Sequence, residues 1–336
     1  MNTSLNSMCD LFIENRDRIK NTFGWQSNYI YPVCSAIFTD KKQLVDVDRL
    51  KYSDNILKHH TGLFSNFRST AKLAMVSMLA VSVDPEKKMK QSMQVYDLLK
   101  NNFFTSAYLP IAAMIISEQV SLDDYPRIAQ RTRHIYDLMK TNHPFLTSAE
   151  DSVFAAMLAL SSYSDEHIVA EAEGCYQLLK NEFFSRNAVQ SLSHVLALCP
   201  GTPTEKFQRT MNLYHGLRTN GCKYSGDYEL ANLGVLASIQ SDTIIQDMAA
   251  VDYFLSRQRG YGLLGLGRKQ RLMHAGMLVA SYHLAQTNDD STHSTDGKLS
   301  MQTAAISSTI SLIVAQQAAI CAAVAASSAA AASANS

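Results

Sequence analysis

A tyrosine followed four residues later by a basic residue returns about every forty positions along this chain. The tyrosines of this pattern are Tyr96, Tyr136, Tyr176, Tyr214 and Tyr253. The repeats lack the alternation of apolar and polar residues that marks a strand. A period of this length is then typical of stacked helical hairpins, because each hairpin is too small to bury its own apolar face. The sequence therefore predicts an all-α fold of about six hairpins, roughly twelve helices, that forms an α/α superhelix. A closed α/α toroid is the alternative.

Each repeat contains a second, strongly apolar segment, and the residues around it suggest how the hairpin closes. These segments are residues 73–80, 111–116, 153–160, 192–198 and 230–236. Helices that are apolar all round are buried on every side, so these segments are expected to form the interior of the stack. An aromatic residue stands eight to ten positions after each tyrosine, where it is expected to pack into the hairpin corner. These aromatics are Phe104, Phe145, Phe184, Tyr224 and Tyr261.

The repeats place residues 1–288 in a single helical-repeat domain. An N-terminal helix is predicted near residues 11–22, a degenerate first copy near 55–68, and the end of the last copy at 272–282. Residues 289–298 are rich in Asp, Ser and Thr and read as a polar linker.

The last segment, residues 299–336, contains no charged residue and is dominated by Ala and Ser. Within it, residues 306–324 carry five aliphatic residues and one Gln at alternating spacings of four and three, which is a short heptad pattern that favours self-association. The positions are Ile306, Ile310, Ile313, Gln317, Ile320 and Val324. The alternatives are a membrane association of this segment and an Ala-rich tail, helical or disordered, that does little.

Charge and cysteine content exclude several classes of protein. Lys plus Arg and Asp plus Glu number 30 each, so no overall positive field attracts nucleic acid. The six cysteines are scattered without close pairs, which resembles neither a disulfide framework nor a zinc site. The polar first ten residues lack the pattern of a signal peptide. We therefore expect a cytoplasmic protein with reduced thiols and no nucleic-acid partner.

Polar residues at corresponding places in successive repeats are the candidates for a ligand site, because they line the same surface of a stack. The candidates are Arg68, His143, Asp151, Gln190, His194, Asp227, Arg271 and His274. His194 is suited to a general base or a metal ligand, and Asp151 adds a carboxylate one repeat earlier. A hydrogen-bonded core histidine and a carboxylate at a helix start are the structural alternatives. Catalytic residues, cofactor and metal stay unassigned.

Four glycines precede the basic residues Arg268, Lys269 and Arg271, and backbone N–H groups beside positive charge can bind phosphate. The spacing matches neither the dinucleotide fingerprint nor the P-loop, and no strand precedes it. A tight turn between repeats is therefore the favoured interpretation.

Five motifs together carry a resemblance to a known family. They are FSNFR at 64–68, MKTNHPFLTS at 139–148, NAVQSLSHVLAL at 187–198, DYELANLGVLA at 227–237 and RKQRLM at 268–273. Over about residues 8–285 the chain resembles a bacterial family catalogued as a domain of unknown function, whose members often end in an Ala/Gln/Ser-rich tail. The resemblance implies no reaction, cofactor or catalytic residue.

Three hypotheses for function follow from the sequence. The first is a non-catalytic scaffold or adaptor that binds a protein or peptide, since helical repeats present extended binding surfaces. The second is an enzyme, or a protein that binds a small ligand or metal, with a polar pocket inside the stack. The third is a membrane-associated component held by the C-terminal tail. We expect the first.

Overall fold

The computed structural model describes residues 2–24, 26–224, 226, 229–262 and 265–290. This part of the chain forms fourteen α-helices and two short 3-10 turns, and it contains no strand, so the all-α prediction is confirmed. The helices are α1 (Thr3–Thr22), α2 (Ile30–Asp40), α3 (Val47–His60), α4 (Lys72–Val81), α5 (Pro85–Lys100), α6 (Leu109–Gln119), α7 (Tyr125–Asn142), α8 (Asp151–Ala159), α9 (Asp165–Leu179), α10 (Arg186–Ala197), α11 (Pro203–Thr219), α12 (Leu230–Ser238), α13 (Ile244–Ser256) and α14 (Gly267–Asp290).

The chain divides into two compact units. The central unit comprises residues 48–209, and the terminal unit comprises residues 1–47 and 210–336. Helix α14 continues to Asp290, and the rest of the predicted linker and the whole tail of residues 299–336 lie outside the described residues. The single domain over 1–288 and the choice between superhelix and toroid stay predictions.

The central unit consists of helical hairpins stacked in two layers. Helices α5, α7 and α9 contact one another in sequence and form the outer layer, and α6, α8 and α10 do the same in the inner layer. Each outer helix also packs closely on the inner helix that follows it. All nine residues of α8 are buried. A helix surrounded in this way must be apolar all round, which explains the uninterrupted apolar segments in the sequence.

Arginine side chains tie the two layers together at one end of the hairpins. Arg49, in α3, donates to the carbonyl oxygen of Ala80 at the end of α4 over 2.6 Å. Arg131, in α7, donates in the same way to the carbonyl oxygens of Ala159 (2.8 Å) and Ser161 (2.6 Å) beyond α8. The last carbonyl groups of a helix have no partner within the helix and carry partial negative charge, so a guanidinium group stabilises them.

The repeated tyrosine has a structural role in the central unit. Its ring packs against an aromatic ring from the loop of the preceding hairpin in three successive repeats. The pairs are Phe67 with Tyr96, Phe103 with Tyr136, and His143 with Tyr176, with ring centroids 5.1, 5.2 and 4.3 Å apart. In the terminal unit, Tyr214 is half-buried and Tyr253 is exposed. The tyrosine period thus marks contacts between neighbouring hairpins of the central unit.

The prediction that Phe104, Phe145 and Phe184 pack into hairpin corners is wrong, because all three side chains are at least 98% exposed. The residue one or two positions earlier packs instead, as Phe103 and His143 do. In each of these loops one aromatic ring faces the stack and the other stands in solvent. The other two predicted aromatics, Tyr224 and Tyr261, are buried in the terminal unit.

The terminal unit is built around α14, which contacts α1, α2, α12 and α13. The first predicted helix therefore exists, but it begins at Thr3 rather than near residue 11. Helix α2 was not predicted, although its residues from Ile30 to Thr39 are all buried like those of the inner helices. With α1 it makes a further helix pair, so the described chain has seven consecutive pairs where six were expected.

The glycine-rich stretch before α14 forms the tight turn that the sequence favoured. Gly260 has φ 91°, and its carbonyl oxygen accepts the N–H of Leu266 over 2.9 Å. A Cβ atom on Gly265 would lie 2.0 Å from that same oxygen, so only glycine fits there. Because the N–H groups of Gly265 and Leu266 bond within the turn, they are not available to a phosphate.

We expect Phe67→Ala to lower the free energy of unfolding by about 3–5 kcal/mol, because the ring is fully buried and its loss leaves a cavity. The matched control is Phe64→Ala, three residues away on a fully exposed ring, which should change it by less than about 0.5 kcal/mol. Chemical denaturation followed by circular dichroism measures both. Equal losses in the two variants would contradict the assigned packing.

Candidate functional site

Four phenylalanine side chains of the central unit stand almost fully in solvent. Phe64, Phe104, Phe145 and Phe184 are between 98% and 101% exposed. They recur at the forty-residue period, one in each of four successive hairpins. We name this set the phenylalanine ladder. Single exposed apolar residues are ordinary, but a regular series of large exposed apolar side chains is typical of an interaction surface.

The loops that carry the ladder all join an outer helix to the inner helix of the same hairpin. They follow α3, α5, α7 and α9 and precede α4, α6, α8 and α10. Because the helices of a stacked hairpin run antiparallel, these four loops lie at one end of the stack in the central unit. Val83, which is 99% exposed, and Leu122, which is half-exposed, lie in loops of the opposite kind, between an inner helix and the next outer helix.

Several charged groups near the ladder have a partner close by. Lys58 and Lys72 share Asp54, at 2.6 and 2.5 Å, and Lys100 pairs with Asp97 at 2.9 Å. Lys140 donates to the neutral carbonyl oxygen of Thr147 over 2.6 Å. The ladder therefore stands on a polar surface that keeps some positive charge.

The structure brings four of the predicted candidate residues into one buried cluster of the central unit. Asp151 begins α8 and His194 lies in α10, with the Asp151 Oδ1 atom 3.8 Å from His194 Nδ1. Asp151 Oδ2 accepts the backbone N–H of Ser148 over 2.8 Å. His194 Nδ1 has no hydrogen-bond partner among the described residues. The remaining two members, His143 and Gln190, flank this pair.

Burial disfavours the charged form of both members of the Asp151–His194 pair. It raises the pKa of Asp151 from 3.8 to about 7, against the lowering effect of the Ser148 N–H. It lowers the pKa of His194 from 6.5 to about 3, with a further contribution from His143. The 3.8 Å separation is too long for a hydrogen bond. The attraction between the two groups therefore does not offset the cost of burying two charges.

His143 and Gln190 connect the cluster to its surroundings. His143 Nε2 lies 2.7 Å from Glu173 Oε2. Gln190 Nε2 donates to Thr147 Oγ1 over 2.9 Å, which fixes the loop before α8. A cavity of about 10 Å³ opens beside His143 and His194. A space of this size holds one water molecule at most, so it does not admit an organic substrate.

Arg68 lies apart from this cluster and closes its own loop. Its guanidinium group donates to the carbonyl oxygens of Lys58 and Thr61, each over 2.5 Å, and to Thr61 Oγ1 over 3.1 Å. These contacts cap the end of α3, which is a structural use of the side chain.

The candidates Arg271 and His274 belong to the terminal unit, on α14. Arg271 binds both carboxylate oxygens of Asp252, at 2.7 and 3.1 Å. His274 Nδ1 lies 2.8 Å from the Tyr261 hydroxyl, and burial, with the Arg16 charge second, lowers the pKa of His274 to about 3. The last candidate, Asp227, lies outside the described residues.

The described part of the chain holds no group of three or more His, Cys, Asp or Glu side chains placed to bind a metal ion. The terminal unit has a groove of about 320 Å³ between α1, the end of α2 and α14, lined by side chains that include Met8, Leu11, Asp40 and Tyr282. None of the seven candidates that the structure describes lines this groove.

None of the helices in the described residues combines the length and apolarity that are needed to cross a bilayer.

The fold and these sites define an all-α helical-repeat protein with a row of exposed phenylalanines. Residues 15–318 match the family described as "Protein of unknown function (DUF4003)", and the chain belongs to this family. A relative from Bacillus subtilis (strain 168), "Uncharacterized protein YeaA", is 24% identical over 238 residues, which cover 67% of this chain and 70% of the relative. No solved structure matches the chain. The resemblance to a bacterial family of unknown function is confirmed.

The Asp151–His194 pair predicts opposite pH dependences for two variants. Raising the pKa of Asp151 makes the fold lose stability as pH rises from 3.8 to about 7, and lowering that of His194 makes it lose stability as pH falls from 6.5 to about 3. The two effects oppose each other between pH 4 and 6.5. In Asp151→Asn, stability should therefore fall on acidification over this range, and in His194→Gln it should rise, each by up to about 1.4 kcal/mol per pH unit.

Urea denaturation at several pH values measures these slopes. The reference is Asp97→Asn, which removes an exposed carboxylate from α5, in the outer layer of the central unit. Parallel slopes in Asp151→Asn and His194→Gln would show that the buried pair does not titrate as assigned.

Proposed function

We propose that this protein is a non-catalytic helical-repeat scaffold that docks an apolar protein segment across the phenylalanine ladder. The observation that carries the proposal is the full exposure of Phe64, Phe104, Phe145 and Phe184 at equivalent places in four successive hairpins. Packing of the stack does not need these rings, since neighbouring residues already fill the hairpin corners.

The size of the ladder suits a specific protein interface. A phenylalanine buries about 150–250 Å² of surface when it is covered, so four rings provide roughly 600–1,000 Å². A typical interface buries about 800 Å² on each partner. Covering each ring contributes about 1.5–3 kcal/mol. The sum of about 6–12 kcal/mol is comparable to the cost of association, about 4–15 kcal/mol, so a partner with a few further contacts binds stably.

Regular spacing favours a protein over a lipid surface. Packed helices lie about 8–10 Å apart, so successive rings are offered at about that interval to a partner with a matching repeat. A lipid surface offers no repeat of this kind.

The buried polar clusters are better suited to structure than to catalysis. The cavity beside His143 and His194 is too small for a substrate, and the polar side chains of Arg68 and Arg271 are engaged in contacts within their own units. We also place the protein in the cytoplasm. Cys9, Cys175 and Cys222 are buried, and burial raises their pKa to about 12, 12 and 11, so they are kept as thiols.

The test uses the full chain and the double variant Phe104→Ser/Phe145→Ser. Each chain is used for gentle affinity purification from native cytosol, and the proteins recovered are identified and then purified for titration calorimetry. We expect a stoichiometric protein partner to bind the unchanged chain and to lose at least about a hundredfold in affinity for the double variant, since central aromatic contacts each contribute about 2 kcal/mol or more.

The matched control is Val83→Ser, which removes an equally exposed apolar side chain from the opposite end of the hairpins and should leave binding unchanged. The same three chains are tested for sedimentation with vesicles that contain anionic phospholipid. Partner binding that survives the double variant would contradict the proposal, and so would vesicle binding that the double variant abolishes.

A further inference from the structure

Resting on the proposed docking role of the phenylalanine ladder, we infer that its occupant is residues 299–324 from the C-terminal segment of another copy of this chain. These residues lie outside the described part of the structure, after α14 ends at Asp290. The inference rests on three properties of their sequence that match the ladder: spacing, length and polarity.

The spacing of apolar residues in the segment matches the interval of the ladder. Leu299, Ile306, Ile313 and Ile320 stand seven residues apart, one for each of the four rungs. Seven residues of α-helix rise about 10.5 Å. Neighbouring hairpins are packed at intervals of about 8–10 Å. A helix laid along the ladder therefore brings one of these aliphatic side chains to each phenylalanine.

The lengths also agree. Four rungs are separated by three intervals, which span roughly 24–30 Å. An α-helix over residues 299–320 would be about 32 Å long, and a slight coiling would shorten its projected length. The matching stretch fits within the 38-residue C-terminal segment, residues 299–336.

The polarity of the segment suits this contact as well. The segment carries no charge, so burying it against four aromatic rings desolvates no ionised group. The chain as a whole has a formal net charge of zero, so copies do not repel one another.

The ladder and the segment are different surfaces, so the contact is head to tail. Such an interface joins copies in a series, which closes into a ring if the rotation between copies permits and otherwise continues. Each contact between two full chains therefore joins the ladder of one copy to the segment of the next.

The experiment compares five full-length chains by analytical ultracentrifugation over a range of concentrations. The ladder variant is Phe104→Ser/Phe145→Ser, and the segment variant is Ile313→Asp. Their controls are Val83→Ser, at the opposite end of the hairpins, and Ser308→Asp, which adds the same charge on the opposite face of the segment helix. We expect the unchanged chain and both controls to associate, and the ladder and segment variants to lose at least about a hundredfold in affinity.

Mixing the two defective chains gives the decisive result. The ladder variant keeps an intact segment, and the segment variant keeps an intact ladder. The mixture should therefore form a one-to-one complex, although neither chain associates alone. Absence of this complex overturns the inference. So does an unchanged chain that stays monomeric at 100 times the concentration at which a partner saturates its ladder.

Two other outcomes separate this inference from the proposed function. Association that is lost in the ladder variant but kept in Ile313→Asp overturns the segment as occupant and leaves the ladder a docking site. Association that is lost in Ile313→Asp but kept in the ladder variant shows contact between segments alone, and it overturns the inference. In both cases the proposed function is tested separately, by whether the ladder variant loses a different protein partner in the affinity purification.

Discussion

The structure of the central unit depends on one constraint, which is that no single hairpin can bury its inner helix. Helix α8 illustrates this, because all nine of its residues are buried while its own hairpin supplies only one neighbour, α7. The other neighbours are α6 and α10, from the hairpins before and after it. Each hairpin therefore contributes stability mainly through its neighbours, as in other repeat proteins. The aromatic contacts of Tyr96, Tyr136 and Tyr176 with preceding loops serve the same purpose at the hairpin ends.

This constraint explains which parts of the sequence were predictable. A forty-residue period and strongly apolar segments reflect burial between neighbours, so the all-α fold and the inner helices follow directly from them. Helix α2 shows the same continuous burial, but no tyrosine repeat precedes it, and its Pro32 sits in its first turn. Without the tyrosine period there is no register for a hairpin at the start of the chain, so this helix is not predictable from the repeat.

The candidate sites were harder to predict, because sequence does not say which of two adjacent residues faces inward. Phe103 and Phe104 are chemically identical, and only the path of the loop makes one pack against Tyr136 and leaves the other in solvent. The same limit applies to the polar candidates. The structure places Asp151 3.8 Å from His194 across one repeat, a spacing that the period makes readable, whereas the contacts that engage Arg68 within its own loop depend on a turn that has no distinctive pattern.

The buried Asp151–His194 pair and the exposed phenylalanine ladder affect the stability of the fold in different ways. Burying the Asp151–His194 pair without a direct hydrogen bond between its members costs stability, and the stack bears that cost in its interior. The phenylalanine ladder costs the folded monomer little, because exposed rings are also exposed in the unfolded chain. Its cost lies in solution behaviour, since a row of large apolar side chains on a chain of zero net charge promotes association. Because a bound segment that covers the rings removes this cost, the ladder supports the proposed docking role, whereas the buried pair does not.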